Sequence, residues 1–190
     1  MQFFYFLAAF LFAVCLGSII EWFVHKDLMH SIRFMRTPHQ RHAVEHHAER
    51  RAPGKYYAKS DELKEYHLFE TSFMPLLWIL HSPVFLAAYY FFGLAAAIGV
   101  AAGTAFYVFG YETLHWYMHC PDDFIFRDAR WFQFLSEHHR LHHNKSDINY
   151  NVVLPLGDLL LGTFVTSHSI KREPEDIRRN APLPPQDAMR

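Results

Sequence analysis

The chain has 190 residues, enough for one compact domain, and half of it is hydrophobic with 17% aromatic residues, which excludes a disordered class. A formal net charge of -1 gives no global field directed at nucleic acid. Two cysteines, Cys15 and Cys120, are too few for a disulfide framework or a cysteine-based zinc module, and Cys15, inside an apolar run, reads as packing.

Residues 3–20 form an uncharged run that continues to residue 24 with only Glu21 interrupting it, the length of one bilayer crossing. It has no basic leader and flows into a histidine motif, so it reads as a span rather than a signal peptide. Residues 72–111 contain no acidic or basic side chain, counting His81 as neutral, which is about twice one span and predicts a helical hairpin with Gly93 at the turn. Gly99, Gly103 and several alanines in the second arm let helix backbones approach closely in lipid. Every Lys and Arg lies in 26–64 or 127–190, so three spans with the N-terminus outside place both basic segments in the cytosol. Residues 152–165 are apolar but too short to span, and fit a re-entrant or interfacial piece or a wall of the cytosolic part. The Pro-rich, charged stretch 171–190 predicts a weakly ordered polar tail. The expectation is an all-α integral membrane protein, one domain over 1–170. It has about three transmembrane helices (about 3–24, 72–92 and 94–113) and a cytosolic helical cap.

Histidine is the outlier, at 15 residues. Twelve fall in four groups: His25 and His30; His39, His42, His46 and His47; His115 and His119; and His138, His139, His142 and His143. The topology brings all four to one membrane face. Pairs four apart, such as His115 with His119 and His42 with His46, share a helix face and can chelate one ion. His139 relates to His142 and His143 at spacings of three and four, again on one face. Neutral imidazole suits Fe, Zn, Cu or Ni, and the number of spaced histidines suits two metals better than one. His42 is favoured over His39 and His139 over His138; His67, His81 and His168 stand alone and read as packing or surface residues. Metal-bound histidines donate their second ring N–H to an oxygen acceptor, for which Glu21, Glu112 and, more weakly, Asp158 are candidates. Asp158 reads otherwise as a helix N-cap.

The segments EWFVHKDLMH, HAVEHH, YETLHWYMH and HRLHHNKSDINYNVVLPLGDLLLGTF together resemble the fatty acid hydroxylase / sterol desaturase superfamily, over about residues 20–165. The resemblance implies a membrane-embedded dimetal site that uses O2 and two electrons on a lipid C–H position. Its ligands would be His25, His30, His42, His46, His47, His115, His119, His139, His142 and His143. It implies two iron ions, with zinc retention a possibility, and electrons from a separate cytochrome b5-like or ferredoxin-like protein, since no haem domain is appended. Larger relatives carry a further span before the first histidine box. Hydroxylation is favoured, with lipid or sterol desaturation open; the first box also resembles small carotenoid hydroxylases. A non-catalytic metal-binding or transport protein is the rival of another class. Transporters place ligands near mid-membrane, whereas here they lie at one surface. Substrate and oligomeric state stay open.

Overall fold

The computed structural model describes residues 1–52, 54–58 and 74–169. His67, the start of the expected second span and the expected tail 171–190 lie outside these residues. Every regular element among the described residues is helical.

Helix α1 (Gln2–Phe23) is built from Phe, Leu and Ala with no proline, and continues without a break as a π-helix, Val24–Met29. A short helix α2 (Arg36–His39) leads into a second π-helix, Gln40–His46, and then into α3 (His47–Arg51). Helices α4 (Met74–Phe92) and α5 (Leu94–His119) form the expected hairpin. Gly93 between them has φ +85°, a conformation that costs a residue with a Cβ but not glycine. Helix α6 (Arg130–Asn144) and the short α7 (Leu156–Leu161) complete the set.

α1 and α5 run parallel and touch through small residues. Gly99 faces the carbonyl of Phe6, and a Cβ on Gly103 would lie 2.6 Å from the carbonyl oxygen of Phe10. Further along, Gly17 receives the ring of Tyr107, 2.7 Å from where its own Cβ would be. Gln2–Met29 and Leu94–His119 are long and apolar enough to cross a bilayer, while the apolar part described for α4, Trp78–Phe92, is shorter. Phe3, Phe4 and Phe12 of α1, Tyr90 and Phe91 of α4, and Phe106 and Phe109 of α5 are exposed. Such an apolar exterior suits hydrocarbon and not water. Cys15 is on this exterior as well, so the packing expected of it is not against the protein's own interior.

The protein core lies beyond the small-residue contact, at the histidine-bearing ends of α1 and α5. Phe132 and Leu135 of α6 pack with Met118 of α5 and with Val152, supported by Tyr111, Leu114, Tyr117 and Phe124. α7 is pressed onto α1: a Cβ on Gly157 would sit 2.8 Å from the Ser18 carbonyl oxygen and 2.9 Å from Cβ of Trp22. Four helix ends therefore converge on one volume, which the histidines fill.

Candidate metal centre

The two π-helices decide which histidines meet. In each, a backbone N–H reaches five residues back: His30 N–H to the His25 carbonyl at 3.0 Å, and His47 N–H to that of His42. Wider winding brings side chains five apart together, and π turns occur mostly at functional sites. His42 and His47 meet through their Nε2 atoms at 3.1 Å, and the rings of His25 and His30 stack with centroids 5.1 Å apart. α5 and α6 are ordinary α-helices, so His115 meets His119 and His139 meets His143 at a spacing of four.

Ten imidazoles gather into two groups of five. His25, His30, His42, His47 and His142 form the first; His46, His115, His119, His139 and His143 form the second. Within each group the ligand atoms all lie within 4.8 Å of one another. The groups abut: the rings of His47 and His143 stack at 4.2 Å and 12°. His42 and His46 thus fall in different groups, as do His139 and His142, where helical spacing led us to expect them on one ion. His39 is half-buried and in neither group. Nor are the buried His81 and the exposed His168.

Three ring orientations are fixed by backbone carbonyls. His25 Nδ1 donates to the Tyr150 carbonyl, His142 Nδ1 to that of Ile148 at 2.7 Å, and His119 Nδ1 to that of Tyr56 at 2.9 Å. A carbonyl only accepts, so each Nδ1 carries the proton and each Nε2 presents a lone pair. Those lone pairs point at other nitrogens. Nε2 of His25 lies 2.8 Å from that of His42, and Nε2 of His142 lies 3.0 Å from that of His30. In the second group the corresponding separations are 3.1 Å for His46 with His115, 3.3 Å for His119 with His139 and 3.0 Å for His139 with His143. A proton can bridge one such pair, but five converging nitrogens also make a donor set that could hold a cation. Two nitrogens held at right angles about 2.1 Å from one ion lie about 3.0 Å apart, which matches these contacts. The residues present fit a pair of metal ions.

Burial supports this. His25, His42, His47, His119, His139, His142 and His143 are all buried. Outside the membrane-spanning helices, burial first and neighbouring imidazoles second hold His42, His46, His47, His139, His142 and His143 well below the usual histidine range. Neutral imidazole is the form that ligates metal. Nδ1 of His47, His139 and His143 is buried with no hydrogen-bond partner among the described residues, so no carbonyl among them fixes these three rings as it does His25, His119 and His142.

Glu21 and Asp158 are placed differently from expectation. Glu21 does not reach His25; it accepts from Tyr107 OH at 2.5 Å, Asn151 Nδ2 at 3.0 Å and Val152 N–H at 2.6 Å. Asp158 is inside α7 rather than at its N-cap, which is Pro155. It accepts from the N–H groups of Tyr150 and Asn151, both at 2.8 Å, from Thr163 Oγ1 at 2.6 Å and from His138 Nε2 at 2.9 Å. Burial pushes the Asp158 carboxyl up, but these hydrogen bonds outweigh it and hold the pKa below the ordinary value. His138 therefore turns away from the cluster. Glu112 is half-buried on α5 and belongs to neither group. The acceptors that sequence reasoning missed are the carbonyls of Tyr56, Ile148 and Tyr150. A backbone carbonyl occurs at every position, so residue type gives no signal for it.

No curated protein and no solved structure matches this chain. A family model, that of the fatty acid hydroxylases, matches residues 10–163, which include all ten clustered histidines as well as Glu21 and Asp158. With a match over most of its length, the chain belongs to the fatty acid hydroxylase family.

Proposed function

We propose that the protein is a membrane di-iron oxygenase that hydroxylates a lipid C–H position, its metals held by the ten clustered histidines. The carrying observation is the convergence of imidazole nitrogens at 2.8–3.3 Å in two adjoining groups, with three lone pairs aimed by carbonyls. Bound there, two iron ions supply the activation of O2, with two electrons from a separate donor protein.

The chain's own residues do the rest. Tyr150, Ile148 and Tyr56 orient three imidazoles through their carbonyls and keep their protons on Nδ1. Buried histidines on α6 and the packing of Phe132, Leu135 and Met118 exclude water from one side. His30, His46 and His115 are half-buried and mark the more open edge, where we place the approach of the lipid chain. Five nitrogens for each ion leave room for a non-protein ligand if the ion is six-coordinate. Hydroxylation rather than desaturation rests on the family alone.

The test is turnover. Protein purified in detergent with iron, a reductase system and candidate fatty acyl or sterol lipids should consume O2 in proportion to a hydroxylated product. Tightly held metal with no product from any lipid class or donor would contradict the enzyme reading and favour a metal-binding role.

We further propose three spans, with the N-terminus outside and the metal centre in the cytosol. The support is the parallel course of α1 and α5, which calls for a return crossing between them, together with the confinement of Lys and Arg to two segments. Reporter fusions should find the two termini on opposite sides; both on one side would exclude this topology.

A further inference from the structure

The two histidine groups are not held by the same outer contacts. Two of the three carbonyl acceptors, Ile148 and Tyr150, belong to one loop, residues 148–152, and both serve the first group. The third, Tyr56, serves the second group and sits in a separate segment. That segment is tied down by Ala58 N–H on the His119 carbonyl at 2.9 Å and by Arg50 on the Lys55 carbonyl at 3.0 Å.

The 148–152 loop is clamped by two buried carboxyl groups, from α7 and from α1. Asp158, beneath it in α7, receives four donors on two oxygens, two of them the N–H groups of Tyr150 and Asn151. Glu21, on α1, receives the next N–H, that of Val152, and the Asn151 side chain. The loop thus offers three successive N–H groups to carboxyl oxygens while its carbonyls at 148 and 150 face the histidines. Asn149, with φ +54°, is fixed as well: its Nδ2 donates to the His138 carbonyl at 3.1 Å and its Oδ1 accepts from Val165 N–H at 2.8 Å. The donors to the two carboxyl groups come from the loop itself and from Tyr107, Thr163 and His138, so neither has an oxygen directed at an imidazole of the two groups of five.

We infer that Glu21 and Asp158 are positioning residues for the first metal position only, acting through the 148–152 backbone on the orientation of His25 and His142. This rests on the reading of the two groups as metal sites. An amide in place of either carboxylate turns an NH2 toward donors. In Asp158→Asn it would oppose two of four donors, and in Glu21→Gln at least one of three. The loop then shifts or loosens, and the carbonyls no longer aim the two rings. Loss of such outer contacts typically weakens metal binding about 10- to 100-fold.

The experiment titrates metal-free wild-type, Asp158→Asn and Glu21→Gln proteins in detergent with Fe(II) under anaerobic conditions. Bound metal and thermal midpoints of the metal-free proteins are measured in parallel. Wild type should take up two ions. Each variant should keep one site at wild-type affinity and weaken the other about 10- to 100-fold. His119→Ala should weaken the site that these variants spare, so that Asp158→Asn combined with His119→Ala has no tight site. Equal weakening of both sites, or no change at either, would overturn the inference. If Asp158→Asn fails to fold, Glu21→Gln carries the same test, because it leaves all four donors to Asp158 in place. Should Glu21→Gln also fail, Thr163→Val, which removes one donor from Asp158, carries it with a smaller expected loss, and the same two outcomes count against it. A wild-type protein that takes up no metal would instead remove the metal-site reading itself, which separates the two failures.

Discussion

Burial makes charging of the clustered histidines costly, and each neighbouring imidazole adds to the cost. In the unfolded chain the same side chains take up protons near pH 6.5. Between that value and their lowered native values the unfolded state binds more protons than the native one, so stability is fully present above about pH 6.5 and falls as the pH falls. Metal release has the same sign, because protons compete for the ligating nitrogens. Lowering the pH from about 7.5 to about 5.5 should release metal and lower the thermal midpoint together. Metal content that stays level across that range would argue against ligation by neutral imidazoles. At this scale the sequence was informative up to a point. Spacing favoured His139 over His138 and His42 over His39, and those are the residues that converge. What spacing lacked was the physical reason: His138 is engaged by Asp158, a partner twenty residues away that only the fold brings near.

Among the elements, the hydrophobic runs and the Gly93 turn were legible because lipid demands long, uncharged, self-bonded helices. The pairing of histidines was not. Spacings of five, His25 with His30 and His42 with His47, look unsuited to an α-helix, and only π winding makes them neighbours. Nothing in residue type announces a π turn here. Glycine spacing, in contrast, was a usable signal. Gly99 and Gly103 do allow α1 and α5 to touch, and that contact sets how far apart the histidine-bearing ends stand. Gly103→Leu would drive a side chain into the Phe10 carbonyl and Ala13, at a cost of about 1–3 kcal/mol or more. It should lower the thermal midpoint in detergent and reduce metal content, although it touches no histidine. A Gly103→Leu protein with unchanged midpoint and metal would mean that α1 and α5 pack differently from the contact described. Gly110, where a Cβ would meet only Val153 side-chain atoms at 3.6 and 3.9 Å, provides a milder control as Gly110→Ala.

For the whole molecule, two long-range constraints produce one site. The small-residue contact aligns α1 and α5 in parallel, and α6 and α7 close over their ends with Phe132, Leu135 and the 148–152 loop. Histidines from four separate stretches of chain then fill a buried volume that no single stretch could form. Composition pointed to that volume, because so many histidines have no other economical explanation, but their division five and five depended on the fold. The account stands on that division holding metal. The most direct measurement is the metal content per chain of folded, detergent-purified protein, wild type beside His142→Ala and His119→Ala. The account predicts about two ions in wild type and about one in each variant, lost from different groups. Wild-type protein with at most one ion per chain when metal is saturating, or variants that keep both, would contradict it.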